Sequence, residues 1–389
     1  MLETAEYYEK CNLTTNPFQQ NTVYENDERA GVWVGYEGEK RQIVRVLTQA
    51  RLDRVGSTRF LMLLGSWGTG KTHALTWFKN YAQSENASEF NAIVYYISTL
   101  KHDAKFSFKT VFNMDIVTNS RLPLDVLEFK DWLRNTMSDY RAEHGISATT
   151  KERDILESLI GTAGLVDMAE DILKVDDLEE IKVKFLKVSS DYDAQIKFTN
   201  LMKLFVFEIK IRGQAVAFKK AVYLLLDEVD QLQGASVKDA RIVNDLIREI
   251  YDSCPRGLGL VTALSAEISE LPALFQDYVL SRIDRTVEMS ILDRDDAVKF
   301  VEQLLASARV DSDKTSHTGF FPFSEDCVLH IMSSLNEITP RKIMKVMFET
   351  LEIARTDGDF DPSKDGLLDE DKLEDYGIND DLLYDQSGY

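Results

Sequence analysis

Two stretches of the sequence carry residues whose types and spacing could do phosphate chemistry. In FLMLLGSWGTGKTHAL, residues 60–75, five apolar residues run into a glycine-rich loop followed by Lys71 and Thr72. Gly65, Gly70, Lys71 and Thr72 fit the pattern G-x-x-x-x-G-K-[ST] in full. In that pattern a turn between a strand and a helix gathers backbone N–H groups around an anion. The lysine reaches the β and γ phosphates of a nucleotide and the threonine hydroxyl coordinates Mg2+. The expected nucleotide-contacting stretch is Gly65, Ser66, Trp67, Gly68, Thr69, Gly70, Lys71, Thr72 and His73. Within it His73 has no second ligand nearby and suits packing rather than metal binding.

The second stretch is LLLDEVD, residues 224–230. Asp227 and Glu228 directly follow apolar residues, which places two adjacent acids at the carboxyl end of a buried strand, where a doubly wound sheet collects its ligands. Asp227 is the expected Mg2+ ligand alongside Thr72, held directly or through water, and Glu228 the group that polarises an attacking water. The cofactors expected from the two motifs are ATP and Mg2+, and the reaction is hydrolysis to ADP and phosphate, with Lys71 and Glu228 as catalytic groups.

An α/β frame must position these groups. Strand 60–64 precedes a helix over 71–83, and strand 92–98 has helical sequence after it. AVYLLLDEVD (221–230) reads as a buried strand ending in acids, ARIVNDLIREIYDSC as a helix, GLGLVTALS as a strand and RTVEMSIL as a fifth strand. The alternation predicts a doubly wound, parallel, five-stranded α/β sheet. Between the second and third strands, residues 101–215 show helical period with few strand signals, AQIKFTNLMKLFVFEIKIR included, and read as a helical insertion. From DRDDAVKFVEQLLASARV to Arg355 the pattern is helical only. The expected division is an irregular extension over 1–29, an ATPase domain over 30–290, a small helical lid domain over 291–356 and an acidic tail over 357–389.

The chain has 389 residues, of which 44% are hydrophobic, enough for globular cores. Its net charge of −21 argues against an all-basic, nucleic-acid-coating surface. The tail holds twelve acids against Lys364 and Lys372 and reads as a solvated, partly disordered extension, with an interaction tail as the alternative. One local run is basic: Lys40, Arg41, Arg45, Arg51, Arg54 and Arg59 are opposed within that stretch only by Asp53. It could face a phosphate backbone, although a solvated helix face is the plainer reading. Cys11, Cys254 and Cys327 show no metal-ligand spacing. MLETAEYYEK carries acidic and aromatic residues where a signal peptide needs a basic end and an apolar core, and no apolar run is long enough to span a membrane, so a cytoplasmic location with no membrane partner is expected.

GSWGTGKT together with LLLDEVD resembles the AAA+ P-loop ATPases. DEVD is most similar to the branch containing origin-recognition and replication-initiation ATPases, with the related ATPases of transposition target selection and secretion. NLTTNPF, VGYEGEKRQIVRVL, LSRIDRTVEMSILDRDDAVKFVEQLL and ITPRKIMKVMFETLEIA are also similar to that branch, and the resemblance covers residues 12–355. It implies an arginine finger at Arg282 in LSRID, with Arg285 the close competitor, given to the γ phosphate of a neighbouring subunit. It implies a second sensor at Arg341 in TPRK, and a first sensor at Ser265 or Thr262, where many relatives carry Asn. It further implies an ATP-stabilised homo-oligomer, ring or filament, with DNA and an effector protein (a nuclease, transposase or replication factor) as partners. The long 101–215 stretch departs from the pattern, as does an acidic tail where initiators carry a winged helix.

Three roles fit such a chain. It could be a nucleic-acid-associated regulator (a loader, transposition-type selector or genome-defence ATPase) that recruits an effector. It could be a nucleotide-operated signalling or assembly switch without direct DNA binding. It could be a scaffold whose nucleotide is structural.

Overall fold

The computed structural model describes residues 4–19, 31–83, 90–102, 105–311, 317–356 and 360–377. They fall into two compact units, one formed by 39–64 and 75–288, the other by 1–38, 65–74 and 289–389.

The larger unit is built on a five-stranded sheet, with β1 Arg59–Leu64, β2 Ala92–Ile97, β3 Ala221–Leu226, β4 Leu258–Leu264 and β5 Arg285–Glu288. The strand order is β2-β3-β4-β1-β5, and each neighbouring pair is parallel. The central strands are continuous apolar runs because both faces are covered. On one face, Phe60, Met62, Tyr95, Ile97, Leu224, Leu226 and Leu260 join a core with Phe112, Phe129, Phe198 and Phe205 of the 101–215 segment. On the other, Tyr223 meets the Phe78 ring edge-on at 5.0 Å and donates its hydroxyl to the Leu47 carbonyl at 2.8 Å. Helices Glu37–Ala50 and Lys71–Gln83 thus cover the second face, which makes the sheet doubly wound as the sequence predicts.

The 101–215 segment holds the helices Leu122–His144, Glu152–Ile160, Ala163–Lys174 and Asp191–Phe205. Its end corrects the sequence reading. The helix stops at Phe205, and Ile209–Ile211 pairs antiparallel with Gln214–Val216. Arg212 and Gly213 both have positive φ, 50° and 76°, the turn that suits the twist of a tight hairpin. Alternating Ile209 and Ile211 bury one side of it, a period of two that the helical reading overlooked.

Asp125, in the first turn of the Leu122–His144 helix, is buried and accepts the Tyr95 hydroxyl of β2 at 2.9 Å. Burial pushes its carboxyl up to about 6, against the opposing pull of the Tyr95 hydrogen bond and Arg121. A carboxyl raised in the folded state stabilises below its unfolded value, about 3.9, and that stabilisation is lost as pH rises through its folded value. The stability of the natural protein relative to Asp125→Asn should therefore fall by about 2–3 kcal/mol between about pH 4 and pH 7. Parallel urea titrations check this; a difference independent of pH would contradict it.

The smaller unit packs helices Arg294–Ser307, Glu325–Ser334 and Pro340–Thr356 around Val301, Ile331, Ile343, Met347 and Leu351. Two segments expected to be irregular join this core. Thr4–Lys10 is a helix whose Tyr7 and Tyr8 are buried there. The Tyr7 hydroxyl donates to the Leu351 carbonyl at 3.4 Å, Tyr8 bonds Glu352, and Lys10 pairs with Asp361 at 2.9 Å. Within the tail, Phe360, Leu368 and Leu373 are buried in the same cluster and short helices form at Pro362–Asp365 and Glu370–Asp375. Apolar residues spaced through an acidic run anchor it, so the solvated-extension reading fails for 360–377. Residues 378–389, and 20–30 of the N-terminal extension, lie outside the described residues.

Candidate nucleotide-binding site

The loop that follows β1 lies wholly in the smaller unit. Lys71 folds back over it, its Nζ donating to the carbonyls of Gly65 at 2.7 Å and Ser66 at 3.0 Å. Thr69, buried, donates its hydroxyl to the Ser66 carbonyl at 2.9 Å, and the Ala74 N–H bonds the Gly70 carbonyl at 2.8 Å as the Lys71–Gln83 helix begins. Ser66 and Trp67 are exposed, Trp67 at 67%. His73 Nε2 lies 2.7 Å from the Val32 carbonyl, with its ring 6.4 Å from Trp33.

Two glycines show why the loop has this shape. A Cβ at Gly65 would lie 2.3 Å from the Met289 carbonyl oxygen. Gly68 has φ +83°, and a Cβ there would lie 2.9 Å from Cβ of Arg341. Arg341 closes on the loop through its backbone as well, its N–H donating to the Gly68 carbonyl at 3.2 Å. The helix carrying this arginine is thereby fixed to the loop, where the resemblance places a sensor.

In the larger unit, β1 and β3 run parallel with β4 between them. Their carboxyl ends therefore lie along one edge of the sheet, one leading into the glycine loop and the other into the acidic pair. Asp227 is buried and held at both oxygens. Oδ1 accepts the Glu228 N–H at 2.9 Å and Oδ2 accepts the Tyr96 hydroxyl at 2.9 Å. Its own N–H donates to the Ile97 carbonyl at 2.9 Å. Burial, then the charge of Asp227, push the Tyr96 phenol up, so it remains a donor. Glu228 adopts φ 48° and exposes its side chain, a left-handed conformation uncommon for a non-glycine residue. Partial desolvation where the side chain meets the strand end, then the charges of Asp227 and Asp230, hold its carboxyl above the usual value.

The two first-sensor candidates separate by face. Thr262 stands beside Leu226 and Met62 in register, on the side of the sheet that faces the 101–215 segment, and is fully buried. Ser265 follows the end of β4 with the opposite parity, and its N–H donates to Asp230 Oδ1 at 2.8 Å. Arg282 makes a two-pronged pair with Asp252, Nε to Oδ1 at 2.7 Å and Nη2 to Oδ2 at 2.6 Å, while Nη1 bonds the Tyr278 carbonyl. Arg285 reaches the Gln42 side chain at 2.7 Å. Tyr96, Asp230 and Asp252 escaped the sequence reading. No local signal sets Tyr96 apart, because Tyr95 beside it in the same strand carries the same hydroxyl.

The basic run is smaller than its sequence suggests. Arg51 is buried and paired with Asp53 at 2.7 Å, and Arg59 pairs with Asp284 at 2.9 Å. Lys40 lies 5.1 Å over the Trp77 ring. Arg41 and Arg45 are exposed, one turn apart on the Glu37–Ala50 helix. No helix among the described residues is long and apolar enough to cross a membrane.

In the smaller unit the residues present fit the phosphates of a nucleotide: glycine turns with no room for a β-carbon, a lysine lying over them and a helix N-terminus. In the larger unit Asp227, oriented at a strand end, has the donor chemistry that suits Mg2+. No model of a protein family matches the sequence, nor does any curated protein. Solved structures match in fold. The ADP form of the ORC2 protein of Aeropyrum pernix superposes with a TM-score of 0.50 at 13% identity, over 96% of this chain and 74% of that one. A Walker-type ATPase of Pyrococcus abyssi gives a TM-score of 0.48 at 15% identity, over 86% and 71%. The Aeropyrum pernix ORC1 protein in complex with DNA gives 0.48 at 14%, over 92% and 69%. The chain has an α/β P-loop fold of the AAA+ type, shared with the ORC2 protein of Aeropyrum pernix.

Proposed function

We infer that the chain is a Mg2+-dependent ATPase acting as a nucleotide-operated switch in assemblies of its own copies. The observation that supports this most is the Asp227–Glu228 pair at the end of β3, its first carboxylate clamped at both oxygens and its second exposed. Lys71 and the N–H groups of the loop hold the phosphates, and Thr72 and Asp227 hold Mg2+. Glu228 orients the attacking water, Ser265 and Arg341 sense the nucleotide, and Arg282 is the cation offered to the next protomer. Bound Mg2+ supplies charge neutralisation on the phosphoryl oxygens.

The role we favour is a nucleic-acid-associated regulator that recruits an effector protein, with Arg41 and Arg45 as phosphate contacts. A switch that assembles without DNA is favoured by a different observation, the use of Arg51 and Arg59 in internal ion pairs. Fluorescence anisotropy of labelled duplex DNA, with and without ATP and across a salt series, separates them. The first role requires ATP-dependent binding that weakens steeply with salt and is lost in an Arg41→Glu, Arg45→Glu double variant. ATP-driven assembly with no DNA binding selects the second, and nucleotide that never exchanges selects the scaffold.

A further inference from the structure

Two adjacent tyrosines near the end of β2 serve carboxylates on opposite faces of the sheet. Tyr95 donates to Asp125 in the 101–215 segment and Tyr96 to Asp227, each at 2.9 Å. Tyr96 stands beside Leu225 in the β2–β3 register, and Leu225 shares a face with Asp227 because strand side chains alternate with period two. The phenol therefore reaches one step along the sheet to the first residue past β3. Each oxygen of a carboxylate has two lone pairs. The Glu228 N–H uses one on Oδ1 and Tyr96 uses one on Oδ2.

We propose that Tyr96 is a positioning residue for the metal: its hydroxyl fixes the rotation of the Asp227 carboxylate in the orientation that would meet Mg2+ or its water shell. The assignment rests on the reading of Asp227 as a metal ligand given above. Without the phenol the carboxylate loses the hydrogen bond that holds Oδ2 and is less firmly fixed about its side-chain bond. Partners behind a metal ligand typically account for about 10–100-fold in metal affinity.

The test uses the full chain with ADP and Mn2+, free Mn2+ being followed by electron paramagnetic resonance. Tyr96→Phe keeps the ring and removes the oxygen. It should bind ADP normally in EDTA, melt cooperatively, and bind Mn2+ in the ADP complex about tenfold more weakly. Tyr95→Phe, which removes the hydroxyl on the other face, should leave Mn2+ affinity unchanged even if it lowers stability. Asp227→Asn separates the two layers of the argument. If it leaves Mn2+ affinity untouched, the metal-ligand reading fails. If it weakens Mn2+ binding while Tyr96→Phe does not, the Tyr96 assignment alone is overturned. Equal weakening by Tyr95→Phe and Tyr96→Phe, or loss of ADP binding in EDTA by Tyr96→Phe, would show a structural tyrosine and overturn it as well.

Discussion

Glu228→Gln protein is expected to bind ATP with Mg2+ as tightly as the natural protein while hydrolysing it about 10²–10⁴-fold more slowly. The amide keeps the size of the side chain but cannot take up or direct a proton. Glu228 is exposed and held at the end of β3 by a left-handed backbone, so the substitution disturbs no packing. Lys71→Ala should act on the earlier step. It removes the ammonium that lies over the Gly65 and Ser66 carbonyls, and nucleotide binding itself should be lost. Equilibrium binding of a fluorescent ATP analogue alongside phosphate release distinguishes the two. Normal turnover in both variants would end the ATPase reading. Because partial desolvation and the charges of Asp227 and Asp230 raise the Glu228 carboxyl, turnover of the natural protein should begin to fall, as pH is lowered, at a higher pH than an ordinary carboxylate would give, as Glu228 becomes protonated.

The second large effect concerns Arg282. A guanidinium delivered to the γ phosphate of a neighbour is worth about 10³–10⁵ in rate, so Arg282→Ala should be nearly inactive and yet bind ATP. In the single chain all its nitrogens are engaged, by Asp252 and the Tyr278 carbonyl. These bonds use three of its five N–H donors, so an N–H on each Nη remains for a phosphate in trans. Mixing Arg282→Ala with Lys71→Ala, each inactive alone, should return part of the activity, because some interfaces then join an intact loop to an intact arginine. Arg285, whose guanidinium bonds the neutral Gln42 side chain, is the comparison. If Arg285→Ala complements Lys71→Ala and Arg282→Ala does not, the finger is Arg285. If neither pair regains activity while both co-assemble, the shared site is wrong. A purely structural Arg282 would give itself away differently, Arg282→Ala and Asp252→Ala lowering the melting temperature alike with turnover intact.

What could be read from the sequence follows from how local each signal is. The loop after β1 and the acids after β3 are contiguous patterns, fixed by a strand, a turn and a helix within a few residues of one another. The sheet was legible because its central strands are apolar throughout. Partnerships between distant residues were not. Nothing in AIVYYIS says that one tyrosine will meet Asp125 and the next Asp227, because that depends on β2 lying beside β3 with Ile97 opposite Leu226. The pairing of Arg282 with Asp252 likewise depends on how a helix crosses the sheet. The internal use of Arg51 and Arg59 shows the same limit from the other side. A run of charge in sequence becomes a surface patch only if folding leaves it one.

The Thr4–Lys10 helix has a consequence for how the chain comes to be folded. Its tyrosines dock on Leu351 and Glu352, 344 residues along, and the unit they complete is assembled from three separate stretches of chain. A ribosome delivers the first of these long before the last. Residues 75–288 are contiguous and supply nearly all of the other unit, so they can collapse as they emerge, while Tyr7 and Tyr8 wait in solvent for surfaces not yet synthesised. Closing so long a loop adds little entropy beyond closing a moderate one, so the final docking is not strongly disfavoured, only late. During translation the nascent protein thus presents an amphipathic segment with no place to go. That interval is when it is open to chaperones and to pairing with neighbouring chains on the same message.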